Sequence, residues 1–369
     1  MKKKKNVGQV IFTVLMMAAG ACLGVIVALN MREAAETGSD FLRTQLLLVA
    51  VIVIAMYLQI VIHEAGHLVF GILSGYKFCS FRVGNMMLIK KNGKYKLRNF
   101  SIAGTGGQCL MGPPDFVDGK IPVVLYNLGG CIMNLLAVVL FAIIAILAKE
   151  NQLIFLFAMS MVVIGLVFAL SNGIPLRVGV LDNDGKNALS IGKKSAALRA
   201  FWTQLKVMEE IANEKRLKDL PEAYFSLPEE HEMNNPLVLT VAVFRADWLM
   251  DQGRMEEAYE YIKELLEKYA DVMGLNKSIL IGQRIYCELV VKHNTSEAIY
   301  LHNKEFENFA KAMRMTPSII RTEYAYALLA EKDEEKAQKL LELFEKVAKR
   351  YPYEKEIEGE RELIARVRC

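Results

Sequence analysis

The stretch from Leu46 to Leu73, LLLVAVIVIAMYLQIVIHEAGHLVFGIL, places a short polar cluster near the end of a long apolar run. A helix that crosses a bilayer needs about 20 mostly apolar residues, so this stretch predicts a membrane-spanning helix. The cluster contains His63, Glu64 and His67. Ionisable side chains are costly inside a spanning helix, and these three therefore mark a candidate functional site.

Three further stretches are long and apolar enough to span a membrane: Val7 to Leu29, Ile121 to Ala148 and Leu153 to Leu170. The first of them follows the basic cluster Lys2–Lys5, as the apolar region of a cleaved signal peptide also would. Its apolar run is longer than a signal peptide needs, which favours a retained anchor. The sequence therefore predicts four spanning helices.

The composition divides the chain into two parts. Overall, 53% of the residues are apolar and 23% are charged, which excludes a disordered chain and a collagen-like repeat. Residues 1–190 carry a net charge of +8, and residues 191–369 carry a net charge of −4. The positive charge lies beside the apolar runs, which indicates contact with membrane lipid and no nucleic-acid partner.

Basic residues also orient the chain, because flanks rich in lysine and arginine stay in the cytoplasm. Lys2–Lys5 and the basic loop 74–120 are therefore expected inside, and the short links 30–45 and 149–152 are expected outside. Four spans then leave both termini in the cytoplasm. These features favour a multi-pass protein of a bacterial plasma membrane.

Within the inside loop at about 74–120, apolar and polar residues partly alternate, as they do in β-strands. Residues 85–90 and 94–102 partly alternate around Asn92-Gly93, a strong signal for a two-residue hairpin turn. We expect a small membrane-associated β-hairpin region, whose edge suits pairing with an extended peptide. A glycine-rich piece follows and supplies three candidate substrate-binding residues: Gly104, Gly106 and Gly107.

Residues 191–369 show the apolar periodicity of helices. Helical stretches are predicted near residues 198–211, 237–250, 255–269, 278–291, 296–313, 319–329 and 335–350. Ala258, Ala298 and Ala337 recur roughly 40 residues apart, a period somewhat longer than that of a tetratricopeptide repeat. The pattern predicts a soluble, tetratricopeptide-like helical repeat domain in the cytoplasm, of a kind that binds a protein partner.

The spacing of His63 and His67 puts both imidazoles on one helix face, about 5–6 Å apart at Cβ. Two imidazoles at this spacing can bind one zinc ion, and the neighbouring Glu64 can act as general base. A catalytic zinc site needs a third protein ligand. The fourth span, which ends with Asn172 and Pro175, reaches the same membrane depth, and the segment after it offers Asp182 and Asp184.

These motifs resemble the site-2 protease family of intramembrane zinc metallopeptidases. The resemblance covers residues 44–190 and rests on His63–His67, on Asn172-x-x-Pro175 with a following Asp-Gly, and on Gly130-Cys-Ile-Met-Asn134. It implies a three-helix catalytic core in which His63, His67 and an aspartate bind zinc and Glu64 is the base. It also implies hydrolysis of a peptide bond in an unwound transmembrane helix, with the inside hairpin holding the substrate as an added strand.

The sequence departs from the family pattern at two positions. Cys131 stands where the family has a proline, and Val180 stands where the family has its metal-binding aspartate. Asp182 keeps the preceding leucine of that pattern, whereas Asp184 keeps the following glycine. We prefer Asp184 over Asp182, because the glycine lets the chain turn sharply beside a ligand. An ordinary Asx-type turn also fits this segment.

Asn134 and Asn172 are polar residues within apolar spans. They are candidates for holding the opened substrate backbone or for stabilising the oxyanion. Hydrogen bonding between helices explains them equally well.

The sequence thus predicts a mainly α, polytopic membrane protein with three parts: an anchor and outer link in 1–43, a metalloprotease core in 44–190, and a helical domain in 191–369. The expected activity is hydrolysis of a peptide bond within or near a transmembrane segment of a membrane-protein or signal-peptide-like substrate, with one Zn²⁺ per chain.

Two alternatives come from the same motifs. One is a membrane-anchored scaffold whose helical repeats bind a partner and whose metal site is structural or inactive. The other is a protease of the prenyl-processing type, which also carries His-Glu-x-x-His. That class takes a downstream glutamate on a helix as its third ligand, and the later spans contain none.

Overall fold

The computed structural model describes residues 7–36, 41–91, 93–101, 105–178, 181–191, 195–271 and 274–368. These residues are mainly helical and include a small antiparallel sheet, which confirms that part of the predicted fold class. The chain forms two compact units. The first consists of Met1–Val83, Gly106–Cys109 and Pro122–Lys194, and the second consists of Gly84–Thr105, Leu110–Ile121 and Ser195–Cys369.

The first unit contains the apolar helices. In chain order its described helices are α1 (Val7–Glu36), α2 (Phe41–Leu73), α3 (Val124–Leu147), α4 (Gln152–Gly173) and α5 (Asp184–Ile191). Three of them contain stretches long and apolar enough to cross a membrane, namely Leu42–Leu73, Val124–Leu147 and Gln152–Gly173. The corresponding apolar stretch of α1 is shorter, Val10–Val25, so the fourth predicted span stays a prediction.

Two glycines set the distance between α2 and α3. A Cβ atom added to Gly66 of α2 would overlap the backbone of Gly129, and one added to Gly129 would overlap the carbonyl of Gly66. Small residues at a contact between membrane helices let the two backbones approach closely. The histidines of α2 are thereby brought against α3.

The strands are β1 (Lys77–Val83), β2 (Met86–Lys91), β3 (Lys94–Asn99), β4 (Gly107–Gly112), β5 (Arg177–Val178) and β6 (Leu181–Asp182). β2 pairs antiparallel with β3, with Lys91 opposite Lys94, which confirms the predicted hairpin. Gly93 has a φ of 77°, as a two-residue hairpin turn requires, and Asn92 lies outside the described residues. β4, which the sequence pattern did not predict, neighbours β1 at an edge of the sheet.

The second unit contains β2, β3 and a series of helices, and it is called the helical unit below. The helices are α6 (Ser195–Ala212), α7 (Pro236–Asp251), α8 (Met255–Tyr269), α9 (Leu275–Val290), α10 (Thr295–Leu301), α11 (Lys304–Ala312), α12 (Pro317–Tyr326), α13 (Glu334–Ala348) and α14 (Glu354–Arg366). The three recurring alanines, Ala258, Ala298 and Ala337, are buried in the first turns of α8, α10 and α13. The tetratricopeptide-like repeat itself stays a prediction.

The single helix predicted over 296–313 is wrong, because the chain forms α10 and α11 there. The side chain of Asn303 accepts hydrogen bonds from the backbone N–H groups of Glu305 and Phe306 and so caps a new helix. The sequence pattern also missed α5 and α14. α14 has few apolar residues, although Ile357 and Leu363 on it are buried.

Candidate metal centre

The two histidines of the His-Glu-x-x-His motif lie one helical turn apart on α2, with their rings facing each other. Their Nε2 atoms are 3.2 Å apart, and the ring planes are close to perpendicular. His63 is buried, and its ring lies against Gly130 of α3. A Cβ atom on Gly130 would lie 2.5 Å from Cε1 of His63, so only glycine leaves room for this ring.

Asp184, the first residue of α5, completes a triangle with the two histidines. Its Oδ2 atom lies 3.1 Å from Nε2 of His63 and 3.5 Å from Nε2 of His67. A tetrahedral zinc ion with bonds of about 2.0–2.2 Å holds its ligand atoms roughly 3.3–3.6 Å apart. The three separations, 3.1–3.5 Å, are close to those between three ligands of one tetrahedral zinc ion. The three residues form the one possible metal-binding group among the described residues.

Hydrogen bonds on the far side of each ring leave the Nε2 lone pairs directed at the triangle. Nδ1 of His63 lies 2.7 Å from Oδ1 of Asn134, and Nδ1 of His67 lies 2.8 Å from the backbone oxygen of Tyr126. Oxygen atoms of this kind only accept hydrogen bonds, so each Nδ1 carries the proton and each Nε2 is free to bind a metal. Metal-binding histidines are commonly held in this way.

The Asp184 carboxyl group is ionised. Burial alone would raise its pKa, but hydrogen bonds that His63 and His67 donate from Nε2 when these atoms are protonated outweigh burial and lower the pKa to about 2. A metal ion would take the place of those protons. Because metal ions bind carboxylates in the ionised form, this state suits a metal ligand.

Asp182, the less favoured candidate, is engaged elsewhere. Its carboxylate accepts hydrogen bonds from Nε and Nη2 of Arg177, at 2.7 Å and 3.2 Å. It also lies 3.1 Å from Nζ of Lys186. The structure thus brings Asp184 to the histidines, while Asp182 takes part in an ion-pair group on β6.

The approach of α5 to α4 explains why a glycine follows Asp184. A Cβ atom on Gly185 would overlap the backbone carbonyl of Gly173 at the end of α4. The reason differs from the sharp turn that we expected, because Gly185 is not among the residues with positive φ. The glycine allows close approach, and that approach carries Asp184 to the histidines.

Asn183 was missed as a positioning residue, because only Asp182 and Asp184 were weighed as ligands, with an Asx-type turn as the alternative. Its side-chain oxygen accepts from the N–H groups of Leu176 and Lys186, and its amide donates to the carbonyls of Ser171 and Ile174. One side chain therefore joins the end of α4 to the start of α5. α4 itself ends because Pro175 follows, which disfavours a helical conformation at Ile174.

Glu64 is buried next to the backbone of β4. A Cβ atom on Gly107 would lie 2.5 Å from Oε1 of Glu64, so the glycine lets the strand pass directly over this carboxylate. Gly106 similarly lies near Ile60 of α2, and Gly104 lies outside the described residues. Arg82 of β1 is buried and donates to the carbonyl of Gly107 at 3.3 Å, which holds β4 in place.

The two candidate asparagines have different surroundings. The side chain of Asn134 is fully buried between α2 and α3, with His63 on one side and Gln59 on the other. The interhelical alternative therefore describes Asn134 better than substrate binding does. The amide of Asn172 donates to the Phe168 carbonyl of its own helix, at 3.0 Å, and its substrate-binding role stays a prediction.

A family model for peptidase family M50 matches residues 51–346. The chain belongs to peptidase family M50. Members of this family are zinc metalloproteases of the site-2 protease type, so the resemblance drawn from the motifs is confirmed. No curated protein and no solved structure matches the chain. As a member of family M50, the protein is a metallopeptidase, and its apolar helices agree with the membrane location of the family.

Proposed function

We propose that this M50 protein is an intramembrane zinc endopeptidase that hydrolyses a peptide bond within or near a transmembrane segment of another membrane protein or of a signal-peptide-like substrate. The observation that carries the proposal is the triangle formed by His63, His67 and Asp184, with Glu64 buried beside it on a membrane-spanning helix. A scaffold protein would have no need for a general base next to such a triangle.

In this proposal Nε2 of His63, Nε2 of His67 and a carboxylate oxygen of Asp184 hold one zinc ion. The ion supplies a Lewis acid that activates a water molecule and polarises the carbonyl of the bond to be cleaved. Asn134 and the backbone of Tyr126 keep the two rings in the orientation that this binding requires.

Glu64 acts as general base and then as general acid. Its carboxylate accepts a proton from the attacking water and later delivers that proton to the leaving amine. Its burial against β4 keeps bulk water away, so the proton moves between the carboxylate and the reacting atoms alone.

The substrate binds as an extended strand along β4. A peptide bond inside a helix is shielded by its own hydrogen bonds, so the substrate helix has to unwind before hydrolysis. β4 is an edge strand of its sheet, and Gly107 brings it into contact with Glu64. A peptide added to this edge has its backbone beside the base.

The remaining sequence expectations belong to the same proposal. α1 is a fourth spanning helix, both termini are cytoplasmic, and the membrane is the plasma membrane of a bacterium. Residues 1–43, 44–190 and 191–369 are the anchor, the catalytic core and a tetratricopeptide-like domain that binds a protein partner. Asn172 and the glycines near β4 contact the substrate backbone.

The Glu64→Gln substitution tests the proposed activity. Membranes from cells that contain the wild-type chain or the variant are compared by quantitative mass spectrometry of single-span proteins and membrane peptides. Because the general base is lost, at least one class of single-span species should accumulate in the variant, and its cleavage should fall by roughly 10²–10⁴-fold.

Glu150→Gln is the matched control, since Glu150 is an exposed glutamate in the link between α3 and α4. This control should leave the membrane peptides unchanged. Identical peptide profiles for Glu64→Gln and wild type, at equal amounts of protein, would contradict the proposed activity.

A further inference from the structure

We infer that Gln59 is a positioning residue for the metal centre and acts through Asn134 on the ring of His63. The inference rests on the proposed zinc site and adds to it a residue that belongs to none of the recognised motifs. Gln59 lies one helical turn before His63 on α2, and its side chain is fully buried.

The three side chains form a continuous chain of hydrogen bonds across the membrane helices. Nε2 of Gln59 donates to the backbone carbonyl of Met161 in α4, at 2.7 Å. Oε1 of Gln59 accepts from Nδ2 of Asn134 in α3, also at 2.7 Å. Oδ1 of Asn134 in turn accepts from Nδ1 of His63, at 2.7 Å.

The direction of this chain is fixed at its far end. A backbone carbonyl can only accept, so the amide nitrogen of Gln59 has to face Met161 and its oxygen has to face Asn134. That oxygen, together with the backbone oxygen of Gln59 at 3.1 Å, turns Nδ2 of Asn134 towards α2. The oxygen of Asn134 then faces His63, which therefore carries its proton on Nδ1 and presents Nε2 to the metal.

Gly165 makes room for this arrangement on α4. A Cβ atom at this position would lie 2.6 Å from Nε2 of Gln59 and would push the amide away from the Met161 carbonyl. A buried primary amide in an apolar helix bundle is costly unless its polar atoms are paired. Here α4 provides the acceptor, through Met161, and the space, through Gly165, so the buried amide of Gln59 is accommodated and paired.

The test measures metal affinity in the detergent-purified full chain by chelator competition for Zn²⁺. Replacing a residue that hydrogen-bonds to a metal-binding histidine commonly lowers the metal affinity by about 10–100-fold. Gln59→Met removes one of the two oxygens that orient Asn134, so the dissociation constant should rise by about tenfold. Asn134→Leu removes the hydrogen bond to Nδ1 of His63 altogether, so the dissociation constant for Zn²⁺ should rise by about 100-fold.

A spectroscopic measurement separates positioning from general loss of structure. In the Co²⁺-loaded chain, the visible absorption bands report the ligand geometry around the metal. Gln59→Met should shift these bands, whereas Tyr57→Phe, on a half-exposed residue of the same helix, should leave them at the wild-type wavelengths.

Gly165→Ala provides a second route to the same result, because its methyl group overlaps Nε2 of Gln59, and also Cγ2 of Val138, without changing any polar group. It should weaken Zn²⁺ binding about as much as Gln59→Met does. Gly24→Ala is the control, since a Cβ atom there meets nothing within 4 Å.

The two proposals fail in different ways. A wild-type chain that binds no Zn²⁺ contradicts the zinc site itself and with it the inference. A wild-type chain that binds Zn²⁺, together with a Gln59→Met chain of unchanged affinity and unchanged Co²⁺ spectrum, contradicts only the role of Gln59.

Discussion

Each compact unit of the protein contains a cluster of buried polar side chains, and the two clusters offset the cost of burial differently. In the first unit, called the membrane unit below, His63, His67 and Asp184 turn three lone-pair-bearing atoms towards one another at 3.1–3.5 Å. When the proton of each ring lies on Nδ1, these three atoms repel each other unless a cation lies between them. The geometry of the cluster therefore suits a metal ion.

The cluster of the helical unit contains its own cation. Arg321 of α12 is buried, donates to Glu360 of α14 at 3.0 Å, and lies over the ring of Tyr286 at 4.7 Å. Asp247 and Glu356 are close enough for their charges to interact with these groups. The two clusters thus differ in what the carboxylates face: a guanidinium group in the helical unit, and two imidazole rings in the membrane unit.

The largest effect is expected when the cation of the helical unit is removed. Arg321→Met leaves Glu360 buried without its partner, which should lower the free energy of unfolding by about 3–5 kcal/mol. Both tryptophans of the chain, Trp202 and Trp248, lie in this unit, so tryptophan fluorescence during thermal unfolding reports on it. The zinc content should stay at the wild-type level.

The matched control is Arg361→Met, which breaks an ion pair with Glu345 in which both side chains are about half exposed. Exposed pairs contribute at most about 1 kcal/mol. Equal unfolding temperatures for the two variants would show that the buried cation has no special role.

A smaller effect is expected when the ring of His63 is displaced in the membrane unit. Gly130→Ala puts a methyl group 2.5 Å from the imidazole, and overpacking of this kind costs about 1–3 kcal/mol. The Zn²⁺ dissociation constant should rise by roughly 10–100-fold, with unchanged tryptophan fluorescence. An affinity equal to that of Gly24→Ala would contradict the packing shown for this ring.

The smallest expected effect is the pH dependence of the stability of the helical unit. Burial raises the pKa of the Asp247 carboxyl group to about 7 and that of Glu356 to about 8. A carboxyl group in an unfolded chain has a pKa of about 4, so the folded state binds the proton more tightly. Raising the pH from 4 towards 8 therefore destabilises the fold, and lowering it restores the stability.

Asp247→Asn removes the destabilisation that comes from ionising this carboxyl group. The free energy of unfolding of the variant should therefore exceed that of wild type by about 1 kcal/mol or more at pH 8. At pH 5 the difference in the free energy of unfolding should be smaller. The measurement is the unfolding midpoint by tryptophan fluorescence at both pH values. An equal gain at pH 5 and pH 8 would mean that the carboxyl group is not responsible.

The sequence predicts the parts of the site that depend on spacing along one helix or on local turn chemistry. His63, Glu64 and His67 follow from a four-residue spacing, and the hairpin follows from Asn92-Gly93. Asp184 was preferred because of Gly185, although the structure gives that glycine another reason. Asn303 is a capping residue that, with hindsight, marks the boundary of α11.

The missed features depend on contacts between distant segments. Gln59 and Met161 are 102 residues apart, and no local pattern indicates that α4 offers a carbonyl at that point. β4 was missed because a strand rich in glycine has a weak strand signal. Its glycine is explained only by the carboxylate of Glu64 beneath it, which the fold brings there.

Zinc content is the most direct test of the central claim, which is that Asp184 completes a catalytic zinc site with the two histidines. Metal analysis of the purified full chain should find one zinc ion per chain in wild type and in Asp182→Asn. Asp184→Asn should contain far less than one. A full zinc complement in Asp184→Asn, or its loss in Asp182→Asn, would contradict the account.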